Sequence, residues 1–140
     1  MPEPADCLFC GIIDRSTAAE VVLDDAHAVA FLDIRPLFVG HVLLVPRGHH
    51  PTLVDLPPDE IDPLFRRARR LAAAVGLACD APGTFVAMNN TVSQSVPHLH
   101  VHVVPRRPKD GLRGFFWPRT SYDDEAHAAA TTRARRCATR

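Results

Sequence analysis

Apolar residues fall in short runs along most of the chain, and 13 prolines and 7 glycines punctuate them. VVL (21–23) and AVAFLD (28–33) flank Asp24-Asp25-Ala26-His27, the pattern of a β-hairpin. HVLLVP (41–46) follows Pro36 and Gly40, and TFVAMN (84–89) and HLHVHVVP (98–105) bring the candidate strands to five. The runs are brief and rich in β-branched residues, which favours strand over helix. One stretch keeps a different rhythm. In DLPPDEIDPLFRRARRLAAAVG, residues Ile61, Leu64, Phe65, Ala68, Leu71, Ala72 and Val75 follow helical spacing. Arg66, Arg67, Arg69 and Arg70 fall mostly opposite and read as a solvated face. Pro63 removes a helical hydrogen bond, so the regular helix is expected to begin near it, and Gly76 to stop it. Ser121 with Asp124 reads as a capping box that opens an alanine-rich C-terminal helix. Strands and helices do not alternate as βαβ units, so the expected class is α+β with an antiparallel sheet.

Composition narrows the function classes. A chain of 140 residues, 46% hydrophobic and 23% charged, fits a single globular domain over 1–140. Sixteen basic residues balance sixteen acidic ones, so nothing global argues for nucleic acid or a membrane as partner. Any affinity for phosphate must come from a local site. The apolar runs are too short to span a bilayer, and MPEPADCLFC lacks the basic and apolar regions of a secretory signal. Four cysteines make a poor disulfide framework, and a cytoplasmic protein is expected. Cys7 and Cys10 have the spacing of half a zinc site, whereas Cys79 and Cys137 read as structural or incidental.

His98, His100 and His102 alternate with Leu99 and Val101. On a strand, that alternation sends three imidazoles to one face and the apolar pair to the other. Packing alone explains such a face poorly, because apolar residues would fill it at lower cost. One catalytic zinc cannot easily take all three. The outer pair stand roughly 13 Å apart at strand rise, against zinc–nitrogen bonds of about 2.1 Å. His98 and His100 could share a metal with further ligands, which is the metallohydrolase reading. The other reading divides the labour: one neutral imidazole attacks phosphorus while its neighbours donate to phosphate oxygens. Such a nucleophile needs its second nitrogen's proton fixed by an acceptor, often a backbone carbonyl.

HLHVHVV resembles the signature of the histidine-triad superfamily, His-φ-His-φ-His-φ-φ with φ apolar. CLFCGII, FLDI, GHVLLVPRGHH and QSVPHLHVHVVPR resemble its further motifs in order, over roughly residues 7 to 106, with 107–140 as a C-terminal extension. The resemblance implies a five-stranded antiparallel sheet with a main helix and a C-terminal helix, and a homodimer. It implies that His100 forms a covalent nucleotidyl-histidine intermediate at a nucleotide's α-phosphate, with His102 touching the phosphate or leaving group. By similarity Gln94 and Ser95 line the phosphate pocket, Asp33 and Asn89 meet the ribose, and Leu8, Phe9, Leu32 and Ile34 lie against the base. It further implies a structural zinc on Cys7, Cys10, His98 and either His49 or His50, with His49 the better match. Phosphoramidates, dinucleoside polyphosphates and nucleoside phosphosulfates all stay open as substrates. A nucleotide-binding module without turnover is the remaining alternative.

The chain departs from its relatives at Asn90-Thr91-Val92-Ser93, where many carry a glycine-rich stretch. His27 and His127 read as surface residues and His41 as structural. FFWPR (115–119) is an aromatic patch of the kind found at interaction surfaces, over the active site or a partner, unless it simply packs.

Overall fold

In a computed structural model, which describes residues 6–112 and 117–132, the five apolar runs pair into one antiparallel sheet. The strands are β1 (Val21–Asp24), β2 (Ala28–Leu32), β3 (Val42–Pro46), β4 (Gly83–Ala87) and β5 (Val101–Arg106), ordered β1-β2-β3-β5-β4. Among the described residues three α-helices, α1 (Leu8–Ile13), α2 (Pro58–Ala78) and α3 (Glu125–Thr132), and a 3-10 turn at Leu53–Asp55 complete the elements. The α+β expectation is met. The chain divides between Pro108 and Lys109 into two compact units, the second carrying α3. No helix among the described residues is long and apolar enough to cross a membrane.

Both faces of the sheet are covered, which is why β3 is buried along its whole length. On one face Leu44, Leu99, Val101 and Val103 pack against Leu64, Ala68, Leu71 and Val75 of α2. On the other, Val29, Phe31, Leu43 and Val45 pack against Cys7, Phe9 and Ile12 around α1. β5 therefore sends Val101 and Val103 towards α2, while His102 between them lines a cavity on the other face, the alternation expected of a strand.

Several boundaries moved from where the pattern put them. α2 begins at Pro58 and runs through Pro63, because a proline in the second turn removes one bond and its fixed φ is already helical. The buried stripe on α2 is narrower than the apolar spacing suggested: Ile61 and Phe65 stay exposed. Gly76 lies inside the helix. The stop is Asp80, at φ 49°, whose N–H bonds to the Leu77 carbonyl while Ala81 N–H reaches Gly76 O at 2.9 Å. That pair of bonds is a Schellman motif with aspartate in the usual glycine place. α3 starts after Asp124, so Asp124 is not the third residue of a helix capped by Ser121. Phe115, Phe116 and Cys137 lie outside the described residues, as does the His127 side chain; Trp117 to Arg119 are exposed.

The β1–β2 turn is fastened to α2. Asp25 accepts N–H bonds from His27 and Ala28 and both carboxylate oxygens take Arg67 Nε, at 2.9 and 2.8 Å. The guanidinium holds the Asp25 carboxyl down to about 2. Arg67 is thus drawn from the solvated arginine face into a structural role.

Candidate active site

His100 and His102 line a cavity of about 570 Å³ between α1, the segment after it, and the ends of β2 and β5. The tautomer of each imidazole follows from its partners. His100 Nδ1 lies 2.7 Å from the His98 carbonyl oxygen. A carbonyl only accepts, so Nδ1 carries a proton, and in the neutral ring Nε2 keeps its lone pair. His100 is only 3% exposed, with its ring centroid 5.0 Å from that of His102.

His102 is set by a relay. The Leu37 backbone N–H donates to His41 Nδ1 at 3.1 Å, which makes that nitrogen the acceptor. The neutral His41 ring then holds its proton on Nε2 and donates it to His102 Nδ1 at 2.9 Å. His102 is left with Nε2–H as a donor. Burial keeps both rings neutral: it lowers the His41 pKa, and it pushes His102 down to about 4 with help from His100 and His41. Asp33 Oδ2, at 3.7 Å from His41 Nδ1, is too far for a hydrogen bond and does not reverse this. Asp33, His41 and His102 bring ligand atoms within 4.8 Å of one another, yet both nitrogens of His41 are occupied, so this trio is a poor metal site.

Leu8, Phe9, Leu32, Asp33, Ile34 and Ser95 also line the cavity. Asp33 follows β2 directly, and its Oδ1 accepts the Arg35 N–H at 2.9 Å. Arg35 is the one lysine or arginine among the lining residues. Asn89 and Gln94 are used otherwise. Gln94 accepts the Thr91 N–H at 2.8 Å and donates to Pro51 O at 2.6 Å, and Asn89 donates to Ser93 O at 3.2 Å. Both amides brace the loop, and neither lines the cavity.

A second constellation sits behind the first. Cys7, Cys10, His49 and His98 place one donor atom each within 4.8 Å of the others. His98 Nδ1 is 3.6 Å from Cys7 Sγ and 3.5 Å from Cys10 Sγ, and His49 Nδ1 is 3.3 Å from Cys10 Sγ. Zinc–sulfur bonds of about 2.3 Å and zinc–nitrogen bonds of about 2.0 Å, at tetrahedral angles, put sulfur and nitrogen about 3.5 Å apart. The donors fit that ion. His98 Nε2 donates to the Pro46 carbonyl at 2.9 Å, which aims the Nδ1 lone pair at the cysteines. Burial drives His98 down to about 4, so the ring is neutral as a ligand must be. Burial, with Cys7 beside it, pushes the Cys10 thiol up to about 11, as expected where two thiols crowd without a cation. His50 turns away, its Nε2 3.4 Å from Glu60 Oε2. The geometry thus selects His49.

The HIT domain profile matches residues 14–109 of this chain. The chain belongs to the HIT family. A HIT-like protein of Methanocaldococcus jannaschii is 36% identical over 108 residues, covering 75% of this chain and 82% of that one. The adenosine 5′-monophosphoramidase of Saccharomyces cerevisiae is 31% identical over 119 residues, covering 85% and 74%. Among solved structures, a zinc-bound histidine triad family protein from Mycobacterium smegmatis superposes with a TM-score of 0.74 at 30% identity, over 99% and 100% of the two chains.

The loop before Gln94 takes a glycine-like backbone without glycine. Thr91 and Ser93 have φ of 68° and 60°, in the left-handed region that favours glycine. The loop shape is held by the Asn89 and Gln94 amides. Sequence reasoning missed His41 as part of the site, and the signal was available: a histidine heading the buried run VLLVP needs a polar partner. It also missed α1 and the wall formed by Ile12, Thr17, Ala18, Ala19 and Val96, which carry no chemical signature.

Proposed function

We propose that this HIT protein is a nucleotide hydrolase or transferase in which His100 attacks the α-phosphorus. The observation that carries the reading is the opposite protonation of two neighbouring imidazoles facing one cavity. His100 Nε2 offers a lone pair and His102 Nε2 offers a proton. The nitrogen of His100 forms a bond to phosphorus as the bond to the leaving group breaks. As that bond breaks, the leaving group is stabilised by a hydrogen bond from His102 Nε2–H and takes its proton from solvent, to which the attacking water later returns one. Water then attacks the nucleotidyl-histidine, regenerates the imidazole and releases the nucleoside monophosphate. Asp33 accepts hydrogen bonds from the ribose hydroxyls, and Leu8, Phe9, Leu32 and Ile34 form the apolar bed for the base. Ser95 donates to the phosphate. The yeast relative's name favours a nucleoside phosphoramidate as the first substrate to try, with a dinucleoside polyphosphate second.

We include in this reading one zinc on Cys7, Cys10, His49 and His98, a set supported by the distances and by the zinc-bound mycobacterial relative. Closed by four protein ligands, it supplies a cross-link and no open coordination position. The metallohydrolase alternative fares poorly, since both nitrogens of His98 are engaged away from His100. A homodimer belongs to the reading too. β4 ends the sheet with Val86 44% exposed, an edge that a second copy can extend. Sedimentation velocity gives the mass directly.

Wild type and His100→Ala are to be incubated with adenosine 5′-phosphoramidate and with a diadenosine polyphosphate, following product release and intact protein mass. Wild type is expected to turn over at least one of them and to carry a transient adenylyl adduct, both absent from the variant. Equal activity of the two proteins sinks the nucleophile assignment.

A further inference from the structure

One side chain lies between the cavity and the four-donor cluster. Phe9 stands edge-on to His98 at 6.0 Å and 73°, and edge-on to His100 at 5.1 Å and 80°. It also packs on Phe31 at 5.3 Å and is itself buried. In sequence it is enclosed by two of the cluster's donors, Cys7 and Cys10, and it lines the cavity together with Leu8 and Ile12. We propose that Phe9 is a positioning residue that ties occupancy of the Cys7–Cys10–His49–His98 cluster to the placement of His100, so that zinc and nucleotide bind cooperatively. The inference rests on the zinc and nucleotide readings above.

The physical reason lies in α1. Six residues are far too few for a helix to hold itself in water. Its other anchors are Phe9 and Ile12 against the sheet, and the two thiols at its start. A metal bound to both cysteines and to His98 fixes the register of α1 against the chain entering β5. Phe9 is then pressed on the ring of His100, and Leu8 and Ile12 stand as the cavity wall. Without that link α1 can shift, the wall loosens and His100 loses the ring at its side. A nucleotide seated on Leu8, Phe9 and Ile12 in turn holds α1 where the metal needs it. Linkage requires the two effects to be equal.

The test uses the full chain, metal-free and zinc-loaded, with AMP as the probe. AMP affinity is measured by calorimetry in both forms, and zinc affinity by competition with a chromophoric chelator, with and without AMP. The imidazole nitrogen resonances of His100 are followed in parallel. Zinc is expected to tighten AMP binding about tenfold, AMP to tighten zinc binding by the same factor, and the His100 resonances to move on metal removal. Phe9→Leu keeps the apolar bulk; it is expected to bind one zinc, to bind AMP in both forms with a ratio near one, and to leave the His100 resonances indifferent to metal. Equal AMP affinity in the two wild-type forms overturns the proposal, and so does full cooperativity in Phe9→Leu. Global unfolding of the metal-free chain, read by far-ultraviolet circular dichroism, overturns it as well, because the metal would then act on the whole fold. If zinc-loaded protein binds no AMP, the nucleotide reading fails by itself, and the response of the His100 resonances to zinc still judges the role of Phe9.

Discussion

His41 is the residue whose surroundings say most about its neighbours. Its Nδ1 takes the Leu37 N–H and its Nε2 gives a proton to His102, so one backbone amide sets the protonation of a side chain two contacts away. The expected consequence is separable from packing. His41→Phe fills the same space but leaves His102 without its donor, free to take the other tautomer; kcat at neutral pH is expected to fall by about tenfold or more, with the fold retained. A glutamine can accept at one end and donate at the other, so His41→Gln is expected to lose less. Steady-state rates for both variants, with a thermal melt on each, check this. Unchanged kcat in His41→Phe removes the relay from the mechanism. The sequence signalled only that a histidine heading a buried run needs a polar partner, and there His41 reads as structural. Its partners are Leu37, four residues before it, and His102 on another strand, and only the pairing of β3 with β5 brings that second contact about.

α2 shows how element boundaries escape local rules. Pro63 and Gly76 both argue for a shorter helix, and burial of Leu64, Ala68, Leu71 and Val75 against the sheet outweighs both. The stop falls instead on Asp80, which adopts the left-handed conformation at some cost. Asp80→Gly is therefore expected to stabilise the protein by about 1 kcal/mol, read from urea unfolding. A loss of stability would mean that the carboxylate does something the backbone argument omits. Arg67 and Asp25 act at the same scale, since they pin the β1–β2 turn to α2. The arginine-rich face was legible as solvated, and rightly for Arg66, Arg69 and Arg70, all exposed. That Arg67 would turn inward depended on where the hairpin came to rest.

For the whole molecule, burial of neutral imidazoles gives stability a pH dependence. His102 is held down to about 4, and His41 is lowered as well, against an ordinary value near 6.5 in the unfolded chain. Between those values the unfolded chain binds more protons, so stability is full above about 6.5 and is lost as pH falls towards 4. The Asp25 contribution behaves alike further down: full above about 3.8, lost as the pH falls through about 2. Urea midpoints are expected to drop steadily from pH 7 to pH 4 in wild type, and less steeply in a His102→Asn variant. A flat profile would show that these rings take up protons in the fold as readily as in the unfolded chain.

The alternating strands, the amphipathic α2 and the triad were determined by sequence alone, because period-two and period-3.6 patterns are properties of neighbouring residues. So was the fit of Cys7 and Cys10 to half a metal site, by their spacing. The tertiary structure decided which histidines join those cysteines in the four-donor cluster, bringing His49 rather than His50 to Cys10, 39 positions away. It also decided which imidazole holds a proton where, since His98, His100 and His102 each take their tautomer from Pro46 O, His98 O and His41 Nε2. A histidine's identity is written in the chain. Its protonation belongs to whichever atoms the fold sets beside it.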